Sequence, residues 1–337
     1  MLIWAITAAL AWGNPVLNEF MASNEDFWQD PQEPGAFPDW IELYNPTASS
    51  IDLAGYYLTD NLSRLNKWRI PDGISIPANR YLVFIADSDD EQGERHTNFK
   101  LDSAGGFLAL VSSDGKTVID SITYTKQYSN VSYGRYPDGA DDWYFFETPT
   151  RNAQNNQQGY IGKVDKVVFS KTHGFHNSPF SLELSVDTPN AKIYYTLDGT
   201  EPQDRESGGS RLYAGPIPIN STTHVRARAF LSGWQSKQSM TQTYIFLDDV
   251  LNQPEDPPGF PLNWGHEGFG DYEMDPDVVL DPQYSGTLVE DLKSIPSMSL
   301  VMDVEDWFSE ERGIYIEGEL DERRVSVEYI TNDGTPG

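Results

Sequence analysis

The chain contains no cysteine in 337 residues. This absence excludes disulfide bonds, thiolate zinc sites and cysteine nucleophiles, so stability must come from packing. Basic residues are also scarce, with 23 Lys and Arg against 52 Asp and Glu, and the formal net charge is -29. Phosphate backbones and anionic lipids repel such a chain, whereas divalent cations are attracted to it. We therefore expect no nucleic-acid partner.

Sustained apolar runs are missing after the N-terminus. Residues 2–10 read LIWAITAAL, and the Ala11-Trp12-Gly13 that follows has the small-x-small pattern of a signal-peptide cleavage site. The run is too short to span a bilayer. We predict a truncated secretory signal over 1–13 and no membrane span in the mature chain. The alternative is a buried first strand, because no basic residue precedes Arg64.

Aromatic residues, in contrast, make up 13% of the chain, which suits β-rich cores. Short β-like segments separated by turn residues recur at intervals of roughly ten residues, a spacing typical of antiparallel sandwiches. The first series comprises 16–21, 40–44, 56–59, 81–86, 107–111, 118–122 and 143–146. The second comprises 167–169, 180–185, 192–197, 217–219, 225–230 and 243–246.

Between and after these series the composition changes. The Asn/Gln-rich stretch 152–159 has nothing to bury and predicts a linker. Asp198-Gly199 is a type I′ hairpin signal. Residues 248–291 contain 12 acidic residues, no Lys or Arg and several prolines, which predicts an extended anionic segment.

The last residues predict the start of a further, unfinished domain. We expect a strand at 298–302, a short helix capped by Asp303 and stopped at Gly313, strands at 314–316 and 325–329, and a turn at 332–334. Segments that would pair with these strands do not follow in the sequence. We expect this part to bind and position a ligand rather than to catalyse a reaction, because no reaction centre is completed within it.

Three stretches resemble known families. The first resembles a bacterial lamin-tail domain, an immunoglobulin-like sandwich of exported multidomain proteins, through VLNEFMASN at 16–24, DWIELYN at 39–45, IDLAGYYLTD at 51–60 and GRYPDG at 134–139. The second is similar to the chitobiase/β-hexosaminidase C-terminal module, a fibronectin-III-like accessory unit, through HGF at 173–175, IYYTLDGTEP at 193–202 and VRARAF at 225–230. The third resembles the start of a spore-coat CotH-type kinase domain, through DYEMDP at 271–276, IPSMSL at 295–300, GIY at 313–315 and RVSVEY at 324–329.

These patterns together predict an all-β protein of two tandem immunoglobulin/fibronectin-III-like β-sandwiches followed by an incomplete α+β segment. The predicted divisions are a signal peptide at 1–13, a lamin-tail sandwich at 14–155, a linker at 156–165, a chitobiase-type sandwich at 166–247, an acidic Pro-rich segment at 248–293 and the kinase-like start at 294–337. The nucleotide- and metal-binding residues of the kinase family lie further along than Gly337. ATP and Mg²⁺ are therefore implied only for a longer protein.

Candidate sites are few. Asp87, Asp89, Asp90 and Glu91 form an acidic loop that could supply the oxygens calcium prefers, with solvated surface charge as the alternative. Trp28, Trp264 and Tyr272 lie in polar or Pro-rich surroundings and are candidates for stacking on sugars, with packing under a loop as the alternative. His173 and His176 are closely spaced but share no helical face, so a turn is the favoured interpretation over a metal site. No catalytic set is predicted.

We predict a secreted or surface-exposed bacterial fragment that acts as a non-catalytic adhesion, binding or spacer module for an extracellular protein or polysaccharide. One alternative is the substrate-presenting half of a CotH-like ATP-dependent kinase. The other is a calcium-dependent carbohydrate-binding module, which requires the acidic loop and the exposed aromatic side chains to act together.

Overall fold

The computed structural model describes residues 13–264, 268–315 and 322–332. The boundary between two compact units of the chain falls between Gly162 and Lys163. The predicted signal peptide lies outside the described residues, apart from Gly13. The same holds for Ile316 of a predicted strand and for 333–334 of the last predicted turn.

The first unit is built from short antiparallel strands, and its first strand has the predicted bounds. The strands are β1 (Val16–Met21), β2 (Asp39–Tyr44), β3 (Ile51–Asp52), β4 (Tyr57–Thr59), β5 (Trp68–Arg69), β6 (Ser75–Ile76), β7 (Tyr81–Ala86), β8 (Gly106–Val111), β9 (Val118–Tyr124), β10 (Ser132–Arg135) and β11 (Trp143–Phe146).

Two sheets enclose the core of this unit. One has the order β11-β10-β1-β2-β7 and the other the order β5-β4-β8-β9, while β3 and β6 form a small ribbon. Leu17 and Phe20 both belong to the core, although strict alternation would place them on opposite faces of β1. The register shift between Leu17 and Glu19 resolves this conflict, because a β-bulge turns the following side chains over.

A buried ion pair links the two sheets in the absence of disulfides. Arg135 of β10 donates from its Nη2 to both carboxylate oxygens of Asp120 in β9, each at 3.0 Å. Its Nε donates to the Leu17 carbonyl at 2.7 Å, and the Leu17 amide donates to Asp120 Oδ2 at 2.8 Å. The ion pair is thus completed by backbone groups of β1, as a buried charge pair requires.

The start of the predicted linker is packed onto the sandwich. Asn155 is 1% exposed, and its side-chain amide donates to the Arg135 carbonyl at 2.6 Å. Further along, Tyr160 pairs its backbone with Phe145 of β11. Asn155 is therefore part of the sandwich, within the predicted 14–155 module, although the polar stretch 152–159 indicates a linker. A buried amide with satisfied hydrogen bonds needs no apolar side chain to hold its segment.

The second unit has its own five-stranded sheet, with the order β13-β20-β19-β16-β17, and smaller β12-β15, β14-β18 and β21-β22 ribbons. The strands are β12 (Val168–Phe169), β13 (Gly174–Phe175), β14 (Phe180–Leu182), β15 (Leu184–Ser185), β16 (Lys192–Thr196), β17 (Arg211–Leu212), β18 (Ile217–Ile219), β19 (Thr223–Phe230), β20 (Met240–Ile245), β21 (Ser297–Val301) and β22 (Ser326–Ile330). The helices are α1 (Leu247–Leu251), α2 (Pro276–Val279), α3 (Leu288–Lys293) and α4 (Val304–Phe308).

Asp198-Gly199 does not form the predicted two-residue hairpin. Gly199 has φ +80°, but Asp198 does not have the positive φ that a type I′ turn also requires. The Asp198 carboxylate instead accepts from the Thr200 amide at 3.1 Å and from its hydroxyl at 2.6 Å. The pair therefore opens a long loop between β16 and β17, because this side chain offers a competing local turn.

The acidic segment is less extended than predicted, since it contains α2 and α3 and begins within α1. Asp275 caps α2 by accepting from the Asp277 amide at 2.8 Å, and Pro276 occupies the first helical turn. Proline is tolerated there because its missing N–H would have no helical partner in any case. Pro276 therefore starts a helix within the segment that the prolines predict to be extended.

The C-terminal ribbon packs its polar edge against β20. Glu328 of β22 is 5% exposed and accepts from the Thr243 amide at 3.2 Å and from the Thr243 hydroxyl. His173 Nδ1 lies 3.2 Å from the same carboxylate. As predicted, Asp303 caps a short helix, α4, but the helix ends well before Gly313, and Ile314 and Tyr315 lie in a turn instead of a strand.

The architecture confirms the all-β prediction, with several β-sheets and only short helices. Trp40 and Trp68 are both buried, at 0% and 5% exposure. Across the described ranges, none of the helices has the length and apolar character that crossing a membrane requires.

Replacing Asn155 by Ala should release the 150–155 segment, because its buried hydrogen bonds are lost. We expect a loss of about 1–3 kcal/mol in unfolding free energy. Tryptic cleavage after Arg151 should accelerate in parallel. The matched control is Gln157→Ala, an exposed side chain in the same stretch. Equal cleavage rates for the two variants would contradict the assigned role of Asn155.

Candidate functional site

Two glutamates face each other on neighbouring strands of the first unit. Glu19 of β1 is paired in register with Glu42 of β2, and their residues are 1% and 0% exposed. Alternation along β2 places Glu42 on the same face as Trp40, opposite the core residues Ile41 and Leu43. Like charges directly opposite each other destabilise a sheet, so this pair needs compensation.

The compensation comes from neutral donors of the same unit. The Thr150 amide and hydroxyl donate to the two oxygens of Glu19 at 3.0 and 2.8 Å, and Ser132 adds a third donor. Glu42 accepts from the Asn18 side chain at 3.1 Å and from the amide of Asn152. The 150–155 segment therefore closes over the two carboxyl groups.

Asp138 extends this network into the turn before β11. Its Oδ1 accepts from the Asn18 side chain and the Asn155 amide, each at 3.1 Å, and its Oδ2 accepts from Tyr81 Oη at 2.6 Å. Asn18 Oδ1 in turn accepts from the Gly139 amide at 3.1 Å. The residues of the 16–24, 39–45 and 134–139 motifs thus meet in one buried hydrogen-bond network.

Burial changes the protonation of the glutamate pair. Desolvation, with a further contribution from the charge of Glu19, raises the pKa of Glu42 to about 9. Desolvation likewise raises the pKa of Glu19, against the lowering effect of its hydrogen bonds to Ser132 and Thr150. A proton held on Glu42 at neutral pH removes the repulsion that two adjacent buried carboxylates would otherwise have.

The predicted calcium residues are brought together only in part. Asp87 and Asp89 line a shared cavity of about 390 Å³ together with Asp39 and Lys100. Asp90 and Glu91 are exposed and are not among its lining residues. The Asp89 amide donates to Asp87 Oδ1 at 3.0 Å, so one oxygen of Asp87 is used in the turn.

The other oxygen of Asp87 meets a residue that the sequence analysis did not select. His96 Nδ1 lies 2.6 Å from Asp87 Oδ2, and His96 Nε2 lies 4.0 Å from Asp30 Oδ2. His96 and Asp30 are each 1% exposed. Among the described residues, Asp30, Asp87 and His96 are the group whose ligand atoms lie close enough together to hold a metal ion.

Comparisons with protein families agree with this division. Residues 10–126 match the Lamin Tail Domain. Residues 171–242 match the Chitobiase/beta-hexosaminidase C-terminal domain. These matches support the first two predicted modules, both of which are immunoglobulin-like β-sandwich domains. No curated protein sequence matches the chain.

The lamin-tail match stops before β10 and β11, although β10 pairs with β1 and β11 pairs with β10 in the same sheet. The module in this structure therefore includes strands beyond the matched residues. Neither match extends over the kinase-like stretch, so that resemblance stays a prediction.

In the lamin-tail module, Trp28 is the candidate stacking residue. Its ring is half-buried, and the guanidinium of Arg151 lies 3.8 Å from the ring centroid. The cation therefore covers one face of the half-buried indole ring. The assignment of Trp28 to a sugar site stays a prediction.

Trp264 and Tyr272 follow the chitobiase-type module and pack against each other. Trp264 Nε1 donates to Tyr272 Oη at 2.7 Å, and Tyr272 Oη donates to the Pro261 carbonyl at 2.7 Å. Trp264 also stacks on Phe308 of α4, with ring centroids 5.9 Å apart and an interplanar angle of 22°. These contacts use the polar tips of both side chains within the chain, and the assignment of Trp264 and Tyr272 to a sugar site stays a prediction.

The two closely spaced histidines separate. His173 faces Glu328. The ring of His176 instead packs against the rings of Phe180 and Tyr244, with centroids 4.7 and 5.4 Å apart. The sequence analysis did not select His96, although this residue follows the acidic loop that it did select as a calcium candidate. Its pairing with Asp30 depends on two loops separated by β2 and β7, and no local pattern signals it.

Glu42→Gln tests the protonation of the glutamate pair. The folded pKa of about 9 lies above the ordinary value of 4.5, so the folded state retains a proton that the unfolded state releases. The stability conferred by this proton is complete below the unfolded pKa and is lost progressively as the pH rises towards the folded pKa. Between about pH 5 and about pH 9, urea unfolding should therefore shift in favour of the variant, by up to about 6 kcal/mol if the whole pKa shift is realised.

The matched control for this measurement is Glu94→Gln, an exposed position in the same unit. Its stability difference from the unmodified chain should stay constant across the same pH range. Parallel pH profiles for Glu42→Gln and the unmodified chain would show that Glu42 is ionised in the folded protein.

Proposed function

We propose that the chain is an exported, non-catalytic module that binds an extracellular protein or polysaccharide, or spaces such a binding surface from its neighbours. The observation that carries this proposal is the use of the buried carboxyl groups. Glu19, Glu42 and Asp138 accept hydrogen bonds from donors of their own unit, and this holds the sandwich together. Their arrangement supports a scaffold role over proton transfer to a substrate.

Charge and composition agree with an exterior location. A formal charge of -29 keeps chains apart in solution, and packing replaces disulfides in this cysteine-free sequence. The lamin-tail and chitobiase-type matches add two immunoglobulin-like modules, an architecture that presents loops from rigid sheets. We therefore place the binding surface on loops of the sandwiches.

Calcium-dependent glycan binding is the first alternative. Asp87 and Asp89 line one cavity, which favours it, but Lys100 lines the same cavity and its ammonium group opposes a divalent cation there. Trp28 lies in the same unit as this loop, whereas Trp264 and Tyr272 lie in the other unit. A sugar site would accordingly depend on Trp28.

A role as the substrate-presenting half of a CotH-like kinase is the second alternative. The β21-β22 ribbon favours it, because one face of the ribbon is apolar and exposed. The face consists of Met298, Leu300, Val327 and Tyr329, which are 62%, 45%, 55% and 45% exposed. Further polypeptide of a kinase domain would cover this face, since contiguous apolar surface marks a packing or interaction site.

Binding of the full chain to a panel of insoluble polysaccharides and extracellular matrix proteins tests the main proposal. We expect retention on at least one polymer. Trp28→Ala should weaken retention on a polysaccharide by about tenfold, or about 1.4 kcal/mol. The matched control is Leu62→Ala, which removes an exposed apolar side chain from another loop of the same unit.

Each outcome separates the alternatives. Retention that a chelator abolishes and calcium restores supports calcium-dependent binding, and retention unaffected by chelator counts against it. Equal retention of Trp28→Ala and the control removes the stacking role of Trp28. Failure to bind any polymer or protein of the panel would overturn the adhesion function.

Val327→Lys tests the kinase alternative. In the 337-residue chain the side chain is 55% exposed, so Lys should change stability by less than about 0.5 kcal/mol. In a gene product that continues past Gly337, the same Lys should impair folding and ATP turnover, because a charge would be buried. Glu322→Lys, at an exposed position, is the control. Normal turnover of the longer Val327→Lys product would exclude burial of this face.

A further inference from the structure

His96 is held in one orientation by its neighbours. Its Nδ1 lies 2.6 Å from Asp87 Oδ2, a hydrogen-bond distance that is too short to admit an ion between the two atoms. When Nδ1 carries the proton, Nε2 presents its lone pair on the opposite side of the ring. A carboxylate that fixes the outer nitrogen of a histidine is the usual support of a metal-binding imidazole.

The atoms on that opposite side are unpaired. In the part of the chain that the structure describes, neither His96 Nε2 nor Asp30 Oδ2 has a hydrogen-bond partner, although both atoms are buried. Buried polar atoms without partners are costly, and a buried carboxylate oxygen especially so. Asp30 Oδ1 is already used, since it accepts from the Gln32 amide at 2.8 Å. The unpaired oxygen therefore faces the unpaired nitrogen.

We propose that these atoms bind a zinc ion, with His96 Nε2 and Asp30 Oδ2 as ligands and Asp87 as the residue that positions the imidazole. Two zinc bonds of about 2.0–2.1 Å span the observed 4.0 Å separation at a wide angle. A contraction of roughly 0.6 Å gives tetrahedral geometry. A direct hydrogen bond would require about twice that movement.

Further ligand positions are accessible next to Gly93. A Cβ placed on Gly93 would lie 3.6 Å from His96 Nε2 and 3.8 Å from the side-chain nitrogen of Gln32. A half-turn of the Gln32 amide exchanges this nitrogen for its oxygen, and the Gln32 residue as a whole is exposed. Amide oxygen and water can complete the coordination.

The donor set selects the metal. Calcium and magnesium prefer shells made of oxygen, whereas an imidazole nitrogen suits zinc and related transition ions. Asp30 and Asp87 with a neutral His96 carry two negative charges, which one divalent ion neutralises. This site differs from the predicted calcium loop, because it uses Asp87 but neither Asp89, Asp90 nor Glu91.

Zinc titration of the metal-free full chain tests the proposal. Calorimetry should find one saturable site per chain, with a Tm increase of roughly 5–10 °C at about 100-fold excess over Kd. Calcium and magnesium at the same concentration should leave Tm unchanged. His96→Gln and Asp30→Asn should each weaken zinc binding more than about 100-fold, and Asp87→Asn about 10–100-fold.

The matched controls are the double variant Asp89→Asn/Asp90→Asn in the adjacent loop and His173→Gln, another histidine that faces a carboxylate. Both should bind zinc as the unmodified chain does. Because the His96 variant can fail to fold, cobalt absorption of the unmodified chain provides a second test, and it should indicate a nitrogen and oxygen ligand set. Zinc binding that is unchanged in Asp30→Asn and Asp87→Asn, or no binding at micromolar zinc, would overturn the proposal.

Discussion

The first unit depends on one constraint, which is that β1 and β2 are buried on both faces while one of these faces carries carboxyl groups. An apolar core covers the inner face, and Glu19 and Glu42 lie on the other. Buried carboxyl groups must be neutralised or hydrogen-bonded. The chain meets this requirement by returning after β11 to place Thr150 and Asn152 over the pair, while Asn155 donates to the Arg135 carbonyl. Completion of the fold therefore depends on residues far from β1 in sequence.

A second buried interaction links the two sheets of this unit without disulfides. Asp120 and Arg135 connect the two sheets, and the backbone of Leu17 adds one hydrogen bond to each of the two groups. Breaking a buried pair leaves an uncompensated charge, whereas a disulfide constrains the unfolded chain. This mode of cross-linking also operates under reducing conditions, because it contains no bond that a thiol can attack.

The sequence predicts the strands better than their surroundings. Alternation and turn residues locate β1 and most of the longer strands, since side-chain burial has a period of two within each strand. The outer face of β2 could not be predicted in this way, because Trp40 and Glu42 are covered by segments distant in sequence. For the same reason the sequence offered Asp87, Asp89, Asp90 and Glu91 as one cluster. Acidic side chains that are adjacent in a loop do not all point to one place. Asp87 turns towards His96, away from a shared site with Asp90 and Glu91.

The family motifs and the binding surfaces are carried by different residues. Asn18, Glu42 and Asp138 are motif residues, and each uses its side chain inside the sandwich. A resemblance based on such residues identifies the scaffold, since in this chain they form the buried network that holds the sandwich together. Recognition of a ligand requires side chains that the fold leaves available, and these lie in the loops between the strands. Similarity in the motifs therefore transfers the architecture to this chain, while the ligand must be established from the loops themselves.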